Sequence, residues 1–210
     1  MTTNPAVPER EEVFRPRTSK VLALLLWVLA GVAVASSAGA GRAGWSGVPL
    51  ALTVAFAGYW LFWLPKVKID DDGVTLVNPV RTIRVPWAAL ITVDTKFALR
   101  LVTPHGSFTA WAAPAPGVMG SYRAKPADVQ GLPGSTYGPA GSMRPGDLRN
   151  SDSGAAAYLV RTRWSGMVEA GRIDVELTEN AAINIDRHWL LLGIAGVLAL
   201  AVVLTILLPG

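Results

Sequence analysis

The chemistry-bearing residues of this chain are few, and their spacing excludes more than it offers. The densest acidic run is Asp70–Asp71–Asp72–Gly73. A calcium loop of the EF-hand kind needs spaced oxygen ligands and a closing glutamate at its twelfth position. The twelfth residue from Asp70 is Arg81, so the run reads as a solvated turn. His105 and His188 each stand apart from any carboxylate or nucleophile motif. Asp94 near Lys96 reads as a surface pair, and Glu169 with Asp174 gives no paired-carboxylate signature. The chain has no cysteine, which excludes disulfides, thiol catalysis and thiolate-bound metal. It has no phosphate-cradling P-loop, no G-x-G-x-x-G, no G-x-S-x-G and no His-Glu-x-x-His. The sequence therefore predicts no catalytic residue, no cofactor site and no metal site, and a non-enzymatic protein.

The elements around these residues are more telling. Three apolar runs, Val21–Ala38, Val48–Leu64 and Trp189–Leu208, contain no Asp, Glu, Lys or Arg. A bilayer core about 30 Å thick takes roughly 17–25 such residues in a helix. The chain is 51% hydrophobic and only 16% charged, and the apolar surplus lies in these runs. The predicted organisation is a tail at 1–20, a two-helix transmembrane hairpin at 21–64, a soluble domain at 65–187, and a third span with a short end at 188–210. A cleaved signal peptide is the rival reading of the first run, through Ala33–Val34–Ala35 or Ala38–Gly39–Ala40. Glu9, Glu11 and Glu12 before it, and a second span directly after it, argue against cleavage.

Basic residues cluster at one set of helix ends. Arg10, Arg15, Arg17 and Lys20 precede the first run, Lys66 and Lys68 follow the second, and Arg187 precedes the third. The positive-inside rule puts the N-terminus and the 65–187 domain in the cytoplasm of an inner-membrane protein, with the C-terminus outside. Thirteen Lys/Arg from Lys66 to Asp186 face twelve Asp/Glu, so no nucleic-acid partner is predicted. Gly31, Ala35 and Gly39 share one face of the first helix, and Ala51 and Ala55 one face of the second. Small faces let helices approach closely, either within the hairpin or between copies.

Within the soluble part, short alternating segments predict five or six antiparallel strands closing into a barrel or sandwich. Val67 with Ile69, Ile83 with Val85, and Ile91 with Val93 share faces, as do Phe97, Leu99 and Leu101, and Phe108, Ala110 and Ala112. Pro86 opens a single helical turn. Residues 113–150 hold six prolines and seven glycines and read as a flexible loop. Ser151–Asp152–Ser153 offers N-caps for a helix to about Ala170, with Gly171 as its stop. Ala157, Val160, Trp164, Met167 and Val168 fall on its apolar face, with Arg161 and Arg163 on or beside the polar side. Such a helix caps the open end of the barrel or lies on anionic lipid with Trp164 at the interface. Ile173, Val175 and Leu177 alternate with Asp174, Glu176 and Thr178 and predict one more strand, turning back at Thr178–Glu179–Asn180 toward Ala182–Ile185 and the last helix.

The stretch from Lys66 to Gly117 resembles a bacterial PH-like domain. The pieces that carry the likeness are Gly73–Val74, Asn78–Pro79–x–Arg81, Val85–Pro86–Trp87–x–x–Leu90, Ala98–Leu99–Arg100–Leu101 and Ala110–Trp111–Ala112–Ala113–Pro114. It is similar to the subfamily found in small membrane proteins of high-GC bacteria, including a low-molecular-weight protein antigen. The resemblance implies an α+β fold of two packed antiparallel sheets with a C-terminal helix. Its motif residues Gly73, Asn78, Pro79, Pro86, Trp87, Leu99 and Trp111 are read as structural. The phosphate-binding version of the fold carries basic residues in its first hairpin, where this chain has Asp70, Asp71 and Asp72; like charge would repel a phosphate there.

The expected function is a protein-interaction or self-assembly module at the inner membrane. Its partner would be another membrane or membrane-associated protein, or a second copy. The alternative is sensing of membrane lipids or an envelope precursor through Arg81, Arg84, Arg161 and Arg163, with Trp164 beside them.

Overall fold

The computed structural model describes residues 11–39, 45–116, 136, 144–173 and 181–207. Three of its helices are long and apolar enough to cross a membrane: Arg17–Gly39, Trp45–Trp63 and Trp189–Leu207. The first is α1. The second comprises α2 (Val48–Ala57) and a π-helical turn, Gly58–Trp63, ending just before Pro65.

Two antiparallel sheets make the domain. One has the order β1 (Glu12–Phe14), β2 (Lys66–Ile69), β3 (Gly73–Val77), β4 (Arg81–Pro86), β8 (Asn184–Arg187). The other is β5 (Thr92–Asp94), β6 (Ala98–Thr103), β7 (Gly106–Pro114). β7 packs across β2 and β3, and helix α3 (Asp152–Glu169) lies against β5, β6, β7 and β2. Of the barrel or sandwich expected, the barrel is not closed: the two sheets face each other as separate ladders. Alternation supplies the core, with Val67, Ile69, Leu76, Ile83, Val85, Leu99 and Leu101 almost fully buried. Each contributes about 1.5–3 kcal/mol by leaving water.

Alternation misplaces two residues. Phe97 is 79% exposed although Leu99 and Leu101 on its predicted face are buried, because it sits in the turn before β6. Ile91 is 48% exposed and precedes β5, so it does not share the buried face of Val93.

Helix α3 has the predicted signals. The Ser151 hydroxyl accepts from the Gly154 amide at 2.9 Å. At the other end Gly171 takes φ +63°, with Arg172 N–H on the Met167 carbonyl and Gly171 N–H on that of Val168. Its Ala156, Ala157 and Val160 enter the core and Trp164 packs on its edge. The apolar face is used by the domain, which favours the capping reading over the lipid-lying one.

The 113–150 loop also needs correction. Ala113 and Pro114 belong to β7, and Pro145–Asp147 forms a 3₁₀ turn whose Asp147 and Leu148 are buried. Most of the loop, and the strand expected around Val175, lie outside the described residues. β1 is not legible as a strand, and β8 begins within the Ala182–Ile185 segment that follows the expected turn. Both flank apolar helices, so three of the five strands in the larger sheet run directly into them. By register, Phe14 pairs with Val67, Lys66 with Val77 and Arg81 with Arg187, which gathers all three helix ends at one end of this sheet.

The small face of the first helix packs differently from the expectation, while that of the second meets the first helix. Ala23, Ala30 and Ala51 are buried, Trp27 donates to the Ala55 carbonyl at 3.0 Å, and Gly58 sits against the Trp27 ring. The Gly31–Ala35–Gly39 face stays exposed, so the hairpin closes on the Ala23–Trp27–Ala30 face instead.

Candidate functional site: the joint between helices and sheets

Leu61 lies in the last turn of a π-helical segment that ends at Trp63, where the terminal carbonyls lack an intrahelical donor, and Pro65 just beyond has no N–H to offer. The Trp111 indole N–H from β7 supplies one at 2.8 Å. A second indole reciprocates: Trp60, on the helix, donates to the Pro79 carbonyl at 2.8 Å. That same carbonyl lies 3.1 Å from His188 Nδ1, just ahead of the last helix (α4, Trp189–Leu207). A carbonyl only accepts, so Nδ1 carries a proton, and Nε2 is hydrogen-bonded to the Thr82 hydroxyl at 2.9 Å. Pro79 is therefore the node on which both the second and the third apolar helices are fixed.

Asn78 completes the joint. Its carboxamide nitrogen donates to the Thr109 carbonyl at 2.9 Å, and its oxygen accepts the Trp111 amide at 2.8 Å. The side chain thus pairs with the free edge of β7 as a strand would, stitching one sheet to the other. Trp60, Leu61, Pro79, Val80, Arg81 and Trp111 line a mostly apolar groove of about 310 Å³ beside these bonds.

At the far end, the acidic hairpin is internally satisfied. The Asp70 carboxylate accepts from the Asp72 and Gly73 amides, Asp71 pairs with Arg163, and Asp72 with Arg84 at 3.0 Å. A Cβ on Gly73 would lie 2.3 Å from the Val85 carbonyl, which explains glycine there. Trp87 is buried under this hairpin and donates to the Asp70 carbonyl. Pro86 starts the predicted turn, now a 3₁₀ turn at Trp87–Ala89.

The structure separates the four candidate arginines. Arg161 is a correction: it is buried, bonded to Asp147 at 2.7 Å and to the Val93 carbonyl at 2.8 Å. Thr95 donates to the same Asp147 oxygen at 2.7 Å. This charge holds the 3₁₀ turn, β5 and α3 together and is not offered to a partner. Arg84 and Arg163 are committed to aspartates. Arg81 is exposed at the groove and makes no ion pair among the described residues. Trp164 is half-buried rather than displayed. Of the motif residues read as structural, Asn78, Pro79 and Trp111 form the joint, while Gly73, Pro86, Trp87 and Leu99 serve the hairpin and core.

Two packed antiparallel sheets crossed by a C-terminal helix define a PH-like domain. Residues 64–146 match the family described as Bacterial PH domain, leaving β1, α3, β8 and all three apolar helices outside the match. No curated protein matches the chain, and no solved structure does.

Proposed function

We propose that this chain is a multi-pass protein of the inner (cytoplasmic) membrane, and that its PH-like domain is a non-enzymatic docking module on the cytoplasmic side. Its partner is another membrane or membrane-associated protein, or a second copy. The kind of protein it fits is the small antigen-like membrane protein of high-GC bacteria. Three long apolar helices and basic residues at their domain-side ends support the location. The near balance of charge in the domain speaks against a nucleic-acid partner.

The observation that carries the docking reading is the β8 edge. All four β8 residues are exposed, and the strand ends the sheet order, so its outer backbone groups pair with no strand among the described residues. Ile185, 41% exposed, is an apolar side chain on this edge, and the apolar groove opens beside Arg81, which pairs with Arg187 of β8. Such an edge accepts an added strand. The rival reading, lipid sensing through the four arginines, is weakened because three of them are neutralised within the domain.

The test is in-cell photo-crosslinking from position 185, with position 169 as the control. A discrete crosslinked partner or dimer from 185 alone supports the reading. Crosslinks absent from both positions, or equal at both, contradict it.

A further inference from the structure

Six cations sit in or next to the ends of the apolar helices: Arg15, Arg17, Lys20, Lys66, Arg81 and Arg187. None takes part in the six ion pairs found among the described residues. Two of them are brought together. Phe14 pairs with Val67, so the next step of the β1–β2 register sets Arg15 opposite Lys66. The Arg15 guanidinium lies 6.0 Å from the Trp63 ring centroid. Its Nε is buried and has no acceptor. Burial, then the charges of Arg15 and Lys68, hold the Lys66 ammonium below its ordinary value. Glu11, the carboxylate at this sheet edge, is bound to Lys68 at 2.6 Å and offsets the Lys66 charge only as the smallest of these effects.

A buried donor on a charged group costs free energy unless an acceptor meets it. Two like charges held side by side add to that cost. A phosphate ester relieves both, because its oxygens accept the planar guanidinium fork and the ammonium together. We propose that Arg15 and Lys66 bind a phosphate oxyanion, supplied by the headgroup of an anionic phospholipid, with Trp63 beneath it at the helix end. This deepens the membrane reading above and rests on it. The site lies at the opposite end of β2 from the acidic hairpin, about 13 Å away at 3.3 Å per residue. It owes nothing to Arg84, Arg161 or Arg163.

The test uses the full-length chain in mild detergent, titrated with phosphatidylglycerol and with phosphatidylcholine under native mass spectrometry. The wild type is expected to retain phosphatidylglycerol selectively. R15Q and K66Q are each expected to weaken it roughly tenfold, the scale of a lost charged hydrogen bond, while R84Q leaves it unchanged. R15K, which keeps charge but lacks the fork, should fall between. Should R15Q not assemble, K66Q carries the comparison. Equal retention by the wild type and K66Q overturns the proposal, as does equal retention of the two lipids. Inorganic phosphate in a phosphatidylcholine background is the separating arm: binding there that K66Q abolishes upholds the phosphate site and overturns its lipid source. Alkaline washing of cell membranes reads the parent claim independently. Release of the chain into the wash overturns membrane insertion, and the lipid titration does not decide that point.

Discussion

Trp111 and Leu61 are fifty residues apart, yet the indole of one caps the last-turn carbonyl of the other at the end of its helix. The bond makes the orientation of the domain relative to the second apolar helix a property of the fold rather than of a linker. Trp60 to Pro79 is its counterpart in the opposite direction. We expect W60F and W111F each to cost about 1 kcal/mol, the net worth of one hydrogen bond. N78A should cost more, since it strips both Thr109 and Trp111 of a partner. Thermal unfolding in detergent reads the order; N78A no worse than W60F would contradict it.

Arg161 and Asp147 form a buried pair at 2.7 Å. Removing one partner strands a charge, at a cost of about 3–5 kcal/mol. D147L and R161M should each destabilise on that scale. The double variant D147L/R161M should cost less than the sum of the two, because neither charge is left alone. Denaturant unfolding of the full chain measures the cycle, and simple additivity would contradict the coupling.

The extent to which all this was legible follows from where each signal lies. Val67, Ile69, Ile83 and Val85 announce their strands because one face is buried and the period is two. β8 (Asn184–Arg187) is signalled only by Ile183 and Ile185 after the turn, because all its own residues are exposed and its last two are charged. β1 is three residues long and stops before Pro16, too short for a pattern. Arg161 looked solvent-facing because a buried charge is recognisable only through its partner. That partner, Asp147, sits in a Pro/Gly-rich stretch that composition marks as loop. The joint was hidden for a similar reason. Its donors and acceptors belong to an apolar helix, a turn and a strand that local periodicity treats as unrelated, although Asn78, Pro79 and Trp111 had been singled out.

Gly146 offers a contrast with Gly31. A Cβ at 146 would stand 1.9 Å from the Thr95 carbonyl, while one at 31 meets nothing within 4 Å. G146A should therefore displace the 3₁₀ turn and destabilise by about 1–3 kcal/mol. G31A, in mid-helix, should be neutral or stabilising by up to about 1 kcal/mol. Melting curves of the two variants give the comparison, and equal shifts would contradict it.

Lys66 provides a pH signature. Burial and then Arg15 lower its folded-state value below the ordinary 10.5. Between the lowered and the ordinary value the unfolded chain binds more protons, so stability rises with pH through that window. The unfavourable charge is fully present below it. R15Q should move the Lys66 titration upward, as read by NMR of isotopically methylated lysines with K66R for assignment. An unchanged titration would show that Arg15 does not face Lys66.

The proposed placement of the domain at the cytoplasmic face, held by helices that cross the membrane, is tested most directly by thiol labelling. The native chain has no cysteine, so single-cysteine variants are clean reporters. Ser46 begins the second apolar helix at the end away from the domain, and Ser107 lies on β7. With an impermeant thiol reagent on intact cells, S46C should label and S107C should label only after permeabilisation. Labelling of S107C but not S46C on intact cells would contradict the account.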